Sequence, residues 1–308
     1  MSENKMSTQE LNSAPQPNPS NPLPYRLKHR IRVRWSEVDL QKVVFNPHYL
    51  TYFDIAVSQY WRELALPYEL TLRELEGDIF VKKASLEYNG SAHFDETLTV
   101  CLRCSRIGRS SLTFNGSIFR DSETLILCEI VYVFADPVKK ISKPVPQVLK
   151  DALSRYEAGE PVTKLSIGSW EELREDALAL RKEVFVLEQG VPPEMEEDEL
   201  DQDCKHAVLY NALNLPIATA RLISNNQPGK QLTGKVGRMV VRRELRGTHW
   251  GAKVLCALEG VARARGDKYL SLSAQLQAQG FYEKQGFRAT GDIYEEAGIA
   301  HIEMCKSL

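Results

Sequence analysis

From Asn46-Pro47 to about Leu66 the sequence spells a helix that is apolar on most of its sides. Leu50, Phe53, Val57, Trp61 and Leu64 form one stripe, and Tyr49, Tyr52, Ile55 and Tyr60 occupy much of the remainder. Such a helix has to be enclosed on most sides. The residues that follow can enclose it. From 78 to 135 apolar and polar residues alternate with period two, as at Leu98, Val100, Leu102 and Cys104 and again at Leu112, Phe114 and Ile118. Turns are signalled at Asn89-Gly90, Ile107-Gly108-Arg109 and Asp121-Ser122-Glu123. Leu125 to Phe134 is almost continuously apolar, as a central strand would be. A further strand is predicted over 29–36, where Ile31, Val33 and Trp35 alternate with Arg30, Arg32 and Arg34. These elements predict an α+β domain in which an antiparallel sheet wraps around a long helix.

The second half has a different texture. After Lys143-Pro144-Val145-Pro146 and a short helix over 147–157, Gly159-Glu160-Pro161 reads as a linker spanning 158–163. Strands are then predicted near 164–167, 205–210, 216–223, 234–242, 268–273, 287–294 and 301–306, and helices near 170–187, 249–265 and 276–285. That alternation predicts an α/β domain, a mixed twisted sheet with flanking helices, over 164–308. The first domain takes 25–157. Residues 1–24, rich in Ser, Asn, Gln and Pro, are expected to form a disordered tail. Two domains suit a chain of 308 residues, since domains average about 150 residues.

Net charge of −2 gives no broad basic face, so nucleic acid is not an expected partner. No apolar run approaches the ~18 residues of a membrane span, and no secretory signal opens the chain; no membrane partner and a cytoplasmic location are expected. Cys101 and Cys104 have a C-x-x-C spacing, but they fall within a strand pattern and no second pair completes a metal site. They read as ordinary thiols, and no metal is expected.

Two segments carry chemistry. In the first, Asp39 stands between a strand and the start of the long helix, where Asn46-Pro47 reads as an N-cap followed by proline. Free amides at a helix start can stabilise the oxyanion of a thioester carbonyl, and a nearby carboxylate can activate water or attack directly. An Asp before a helix is also a common turn residue. Over about residues 25–155 the chain resembles hotdog-fold thioesterases of the 4-hydroxybenzoyl-CoA thioesterase type. The resemblance is carried by Asp39 and by Ala92-His93-Phe94-Asp95-Glu96, Ile107-Gly108-Arg109-Ser110-Ser111 and Lys143-Pro144-Val145-Pro146. It implies that Asp39 is the catalytic carboxylate, that Asn46 and His48 share the helix-start position, and that a homo-oligomer forms through this domain. A glycine common in that family three residues after the Asp is Lys42 here, and Asp54 takes a place where relatives often carry Glu.

In the second, Met239-Val240-Val241 ends a strand, and Arg246-Gly247-Thr248-His249-Trp250-Gly251 opens an amphipathic helix bearing Val254, Leu255, Leu258 and Val261. A glycine-containing turn feeding a helix start suits a pyrophosphate. With Gln275, Ala278, Phe281, Tyr282, Gly286 and Phe287 further on, residues 164–308 resemble the GNAT N-acetyltransferases. The resemblance implies that Met239, Val240 and Val241 pair with pantetheine, that 246–252 (Ala252 included) bind pyrophosphate through amides, that Gln275 adjoins the cofactor, and that Tyr282 protonates the departing thiolate. The middle glycine of the family's loop is His249 here. An acceptor-side pattern matches at 181–192, at Asp198-Glu199-Leu200-Asp201 and at Ala297-Gly298-Ile299-Ala300-His301. The acidic stretch 194–203 reads either as an amine-attracting site or as a solvated loop.

The expectation is a bifunctional acyl-CoA enzyme. It takes acyl-CoA and acetyl-CoA as substrates, binds no permanent cofactor, and acetylates an unknown amine. The alternative is a CoA-binding regulatory or oligomerising protein in which one domain has lost catalysis.

Overall fold

The computed structural model describes residues 25–225 and 233–308; the predicted tail lies outside them. The chain divides after Val162 into two compact units.

The first unit opens with β1 (Leu27–Arg32), followed by helices α1 (Asn46–Glu63) and α2 (Tyr68–Glu74). Strands β2 (Asp78–Tyr88), β3 (Thr97–Ile107), β4 (Ser111–Arg120) and β5 (Glu123–Ala135) follow, and α3 (Gln147–Ala158) closes the unit. The sheet order is β1-β3-β4-β5-β2, with every pair antiparallel. The all-round apolarity of α1 is explained here. Tyr49, Tyr52, Phe53, Ala56, Val57, Tyr60 and Trp61 are all buried. Close approach of α1 to the sheet requires Gly116, where a Cβ would lie 2.4 Å from the Phe53 ring. Tyr60 meets Phe114 of β4 edge to face at 5.2 Å between centroids. Helix α3 is fastened to the same core by Glu157, which accepts from the Tyr60 hydroxyl at 2.5 Å and the Cys104 amide at 2.8 Å. It ends at Gly159, whose φ of 84° is the left-handed conformation glycine adopts without strain.

One strand is shorter than expected. β1 stops at Arg32, and the Val33 amide bonds the Glu96 carbonyl instead. The Arg34 amide and guanidinium both donate to the Glu37 carboxylate and turn the chain through a 3-10 helix, Trp35–Glu37. Trp35, expected on the buried face, is 77% exposed in consequence.

The second unit contains β6 (Lys164–Gly168), α4 (Trp170–Arg181), β7 (Lys205–Tyr210), β8 (Pro216–Asn225) and β9 (Thr233–Val241). Beyond these lie α5 (Trp250–Arg265), β10 (Tyr269–Gln275), α6 (Gln279–Lys284), β11 (Arg288–Ala289), β12 (Tyr294–Glu296) and β13 (Ile299–Ser307). The strand order is β11-β13-β10-β9-β8-β7-β6, with β12 paired to β13. Only β9 and β10 run parallel, so the sheet is mixed. The strand expected over 287–294 is two short pieces, interrupted around Gly291 at φ 86°. The helix expected over 170–187 changes to a π-helix from Lys182 to Glu188.

Candidate functional sites

The Asp39 loop is a tight hairpin. Val38 bridges Val44, and the Asp39 amide donates to the Val43 carbonyl at 2.9 Å. The Lys42 amide donates back to the Asp39 carbonyl at 2.9 Å, and the Gln41 amide to Asp39 Oδ1 at 2.8 Å. Among the described residues Oδ2 accepts no hydrogen bond, and Asp39 makes none to Asn46 or His48. Lys42 lies at φ 63°. The position where the resemblance led us to expect glycine therefore keeps the left-handed backbone that glycine favours, at the steric cost of a Cβ.

Helix α1 starts at this hairpin, and its entry differs from the sequence expectation. Phe45 is the N-cap, with φ −63° and ψ 132°; Asn46 is the first helical residue and caps nothing. The Phe45 amide is fixed by the Glu37 carbonyl at 2.9 Å, which sets where the helix begins. Asn46 is exposed and His48 half-buried, its ring edge-on to Phe45 at 6.2 Å.

Glu37 organises this corner. It is 3% exposed, yet its carboxylate accepts from the Tyr52 hydroxyl at 2.7 Å, the Arg34 amide at 2.7 Å and Arg34 Nε at 2.8 Å. Burial pushes its pKa up, but these donors outweigh burial and hold it below the usual carboxylate range. The Asp54 side chain makes no hydrogen bond among the described residues; desolvation raises its pKa.

In the second unit the sheet opens. Pairing between β9 and β10 runs from Thr233↔Tyr269 to Val236↔Leu272 and then stops. The cause is a bulge in β9. Between Thr219↔Val240 and Arg221↔Gly237 the register with β8 shifts, and Arg238 takes φ 50°. Val240 and Val241 thus remain paired with β8, Met239 lies in the bulge, and all three leave β10, so that edge is unpaired among the described strands. The resemblance led to the expectation that pantetheine pairs with these residues, and the edge it would use is open.

Beside it, a 3-10 turn over Arg243–Leu245 leads to the loop 246–249 and the start of α5. Gly247 has φ 76°, and the Thr248 hydroxyl donates to the Leu245 carbonyl at 2.5 Å. The first amides of α5 have no acceptor within the helix and bring its positive dipole end to the loop. Gly251 lets α5 approach closely, since a Cβ there would lie 3.2 Å from Val241 Cγ2 and 3.4 Å from Met239 Cε. His249 is exposed, with its ring centroid 3.9 Å from that of buried Trp250. Its imidazole thus packs on the helix.

Tyr282 on α6 completes the cleft. Its hydroxyl donates to Met239 Sδ at 3.5 Å, and burial pushes the phenol pKa up to about 12. Gln275 exchanges amide hydrogen bonds with Gln189 at 2.8 and 3.4 Å. Gln189, Leu276, Gln277, Ile299 and Ala300 line a cavity of about 380 Å³. The structure therefore gathers Met239, Val240, Val241, the 246–252 loop and Tyr282 around the open edge of β9, with Gln275 bonded to the cavity-lining Gln189.

The acidic stretch 194–203 is solvated only in part: Glu194, Glu199 and Asp203 are exposed, and the others are paired. Glu196 and Asp201 are 1% and 0% exposed. Both pair with buried Arg181, and Asp201 also pairs with Arg221. Asp198 bonds Arg221 at 2.6 Å and Arg238 at 3.0 Å. Three carboxylates matched to three guanidiniums brace the loop and tie it to the β9 bulge. His206, 1% exposed, joins through Nε2 and the Asp201 carbonyl at 2.9 Å. His301 Nδ1 lies 2.8 Å from the Ile299 carbonyl. Both histidines thus have structural partners.

Residues 169–308 match the acetyltransferase (GNAT) domain family, and residues 41–127 match the thioesterase superfamily. The uncharacterised N-acetyltransferase YjcF of Bacillus subtilis (strain 168) is 37% identical over 144 residues, 46% of this chain and 99% of that protein. This chain belongs to the GNAT acetyltransferases, with a domain of the thioesterase superfamily ahead. Protein ElaA of Escherichia coli (strain K12) is 33% identical over 133 residues, 42% of this chain and 85% of that protein. The crystal structure of a 1,4-dihydroxy-2-naphthoyl-CoA thioesterase from Synechocystis is similar at 16% identity and a TM-score of 0.39, over 42% of this chain and 95% of that one. The first unit is thus a hotdog domain and the second a GNAT domain, each from a family that handles CoA thioesters.

Residue reasoning missed Glu37 and the π-helical segment of the GNAT domain. Glu37 had one local signal, an arginine three residues before it.

Proposed function

We propose that the chain is a bifunctional acyl-CoA enzyme. The GNAT domain transfers an acetyl group from acetyl-CoA to a primary amine. One observation carries this reading: β9 leaves β10 at the Arg238 bulge beside a glycine turn and helix start, with the Tyr282 hydroxyl on Met239. In that cleft a neutral amine nitrogen attacks the thioester carbonyl. The resulting tetrahedral intermediate collapses with cleavage of the carbon–sulfur bond, Tyr282 gives its proton to the sulfur, and the proton lost by the attacking nitrogen restores the phenol. The products are an amide and CoA. The phenol, with its pKa near 12, is in the acid form at neutral pH. The cavity beside Gln189 and Gln275 suits the acceptor.

In the hotdog domain Asp39 attacks, or activates water to attack, an acyl-CoA thioester whose carbonyl oxygen is held by the amides at the start of α1. An Oδ2 that accepts no hydrogen bond among the described residues and the left-handed backbone at Lys42 support this role. Asn46 and His48 border the site. We further propose that the domain pairs with a second copy. The 11-residue edge strand β2 has one side unpaired among the described strands, and Phe80, Val81 and Tyr88 on it are 42%, 59% and 49% exposed. Both reactions are assigned to the cytoplasm, where six free cysteines are at home. Among the described residues no helix is long and apolar enough to cross a membrane.

Thiol release from acyl-CoA, measured alone and then with added amines, tests the assignment. Release without amine is expected from the hotdog domain, and amine-dependent release from the GNAT domain. CoA binding without turnover under both conditions would favour a regulatory protein instead.

A further inference from the structure

The turn between β9 and α5 is held from outside by two arginines, and both reach the same short segment. Arg242 donates from Nε to the Pro216 carbonyl at 2.9 Å and from Nη1 to both oxygens of Glu183, at 2.6 and 2.7 Å. Arg246 donates from Nε to the Val241 carbonyl at 3.0 Å and from its two Nη atoms to the two oxygens of Glu188, at 2.5 and 2.7 Å. The two arrangements are alike. In each, one nitrogen anchors the side chain to backbone and the rest of the guanidinium grips a carboxylate.

Glu183 and Glu188 are five residues apart. At 3.6 residues per turn, side chains five apart on an α-helix point roughly 140° away from each other. Here Lys182–Glu188 is π-helical, and the Gln189 amide bonds the Val184 carbonyl at 3.1 Å. A π-turn takes about one residue more than an α-turn, so five residues come round to nearly the same face. Both carboxylates then meet arginines that stand on either side of the 243–245 turn. π-turns are rare and concentrate at functional sites. This one continues directly into Gln189, which lines the cavity.

The direction taken by Arg246 matters. Its Nε bond to Val241 folds the side chain back toward the end of β9, away from the loop it begins, and Glu188 matches its charge. Anion binding then falls to the loop amides. We propose that Glu188 is a positioning residue: through Arg246 it holds the β9–α5 turn in the shape whose amides receive the CoA pyrophosphate, with Glu183 and Arg242 as a second brace. This inference rests on the acetyl-CoA reading of the GNAT domain.

Hydrogen–deuterium exchange of the full chain, titrated with CoA and read on peptides covering residues 243–255, reports this site apart from any CoA bound by the hotdog domain. Glu188→Gln should raise the CoA concentration for half-protection about 3- to 10-fold, with the melting temperature nearly unchanged, because a half-exposed pair adds little to global stability. Glu188→Arg should raise it at least as much. Unchanged half-protection in both single variants would overturn the proposal. Tighter binding in Glu188→Gln would also overturn it by making Arg246 itself a phosphate ligand. No CoA protection of the wild-type loop would instead overturn the acetyl-CoA reading, and this inference with it.

Discussion

The Tyr282 hydroxyl donates to the Met239 sulfur at 3.5 Å, joining the proposed proton donor on α6 to the residue of the β9 bulge that follows Arg238. Sulfur is a weak acceptor, so this bond yields readily to a bound thioester. The ring is also packed against Phe281 and Phe287, with centroids 5.0 and 5.9 Å away. Tyr282→Phe keeps that packing and removes the proton. We expect turnover to fall about 10- to 100-fold with little change in acetyl-CoA affinity, the mark of a group acting on the leaving thiolate. A thiol with a reference pKa of about 8.5 leaves tolerably well unaided, which sets the loss below abolition. Steady-state kinetics with a substrate amine provide the check, and equal turnover would reduce Tyr282 to a core residue.

Asp39 holds only its own hairpin, through the Gln41 amide. Asp39→Asn can keep that bond, so the fold should be intact and the melting temperature nearly unchanged. Amine-independent thiol release should drop by at least ~100-fold, the usual scale of a general base or nucleophile. Near wild-type hydrolysis would place the chemistry elsewhere.

The broad layout was legible because it rests on local periodicity. The buried stripe and its tyrosines on α1 called for an enclosing sheet, and the glycine turn into α5 called for an anion site. What escaped depends on partners distant in sequence. Trp35 continues the β1 alternation, but Glu37 is drawn inward by Tyr52 on α1, and the resulting turn swings Trp35 out. Leu173, Ala177, Leu180 and Val184 keep a helical spacing into the π-turn, so periodicity does not mark its extra residue; the pairs with Arg242 and Arg246 do. An acidic run reads as solvated until Arg181 and Arg221 are brought to it by α4 and β8.

Lys42 at φ 63° offers a direct measure of loop strain. A left-handed conformation costs a residue with a Cβ about 1–2 kcal/mol, whereas glycine gives back about 0.5–1 kcal/mol through the entropy of the unfolded chain. Lys42→Gly should therefore leave stability equal or raise it by up to about 1 kcal/mol, with hydrolysis retained. Lys42→Val, β-branched at a left-handed position, should lower both. Thermal melting and thiol release together decide. A stability loss in the glycine variant would mean that the lysine side chain contributes contacts of its own.

Glu37 gives the hotdog domain a pH dependence with a definite sign. Its folded pKa is lowered, because three donors from Arg34 and Tyr52 outweigh the burial that would raise it. A carboxylate of this kind contributes stability in full above its unfolded pKa of about 4.3 and loses that contribution as pH falls through the lower folded value. Glu37→Gln retains the shape but loses the charge, leaving the buried corner with weaker or missing hydrogen bonds. That should cost about 1–3 kcal/mol at pH 7. The difference should shrink below pH 4, where the wild type loses its own advantage. Melting both proteins from pH 7 to pH 3 and following the first transition makes the comparison. A gap that stays constant with pH would show that Glu37 acts through packing alone. Its role in the site is separable: the Phe45 amide hangs on the Glu37 carbonyl, so a displaced corner moves the start of α1 as well. A variant that is destabilised but still hydrolyses acyl-CoA at pH 7 would show that the backbone bond survives without the carboxylate.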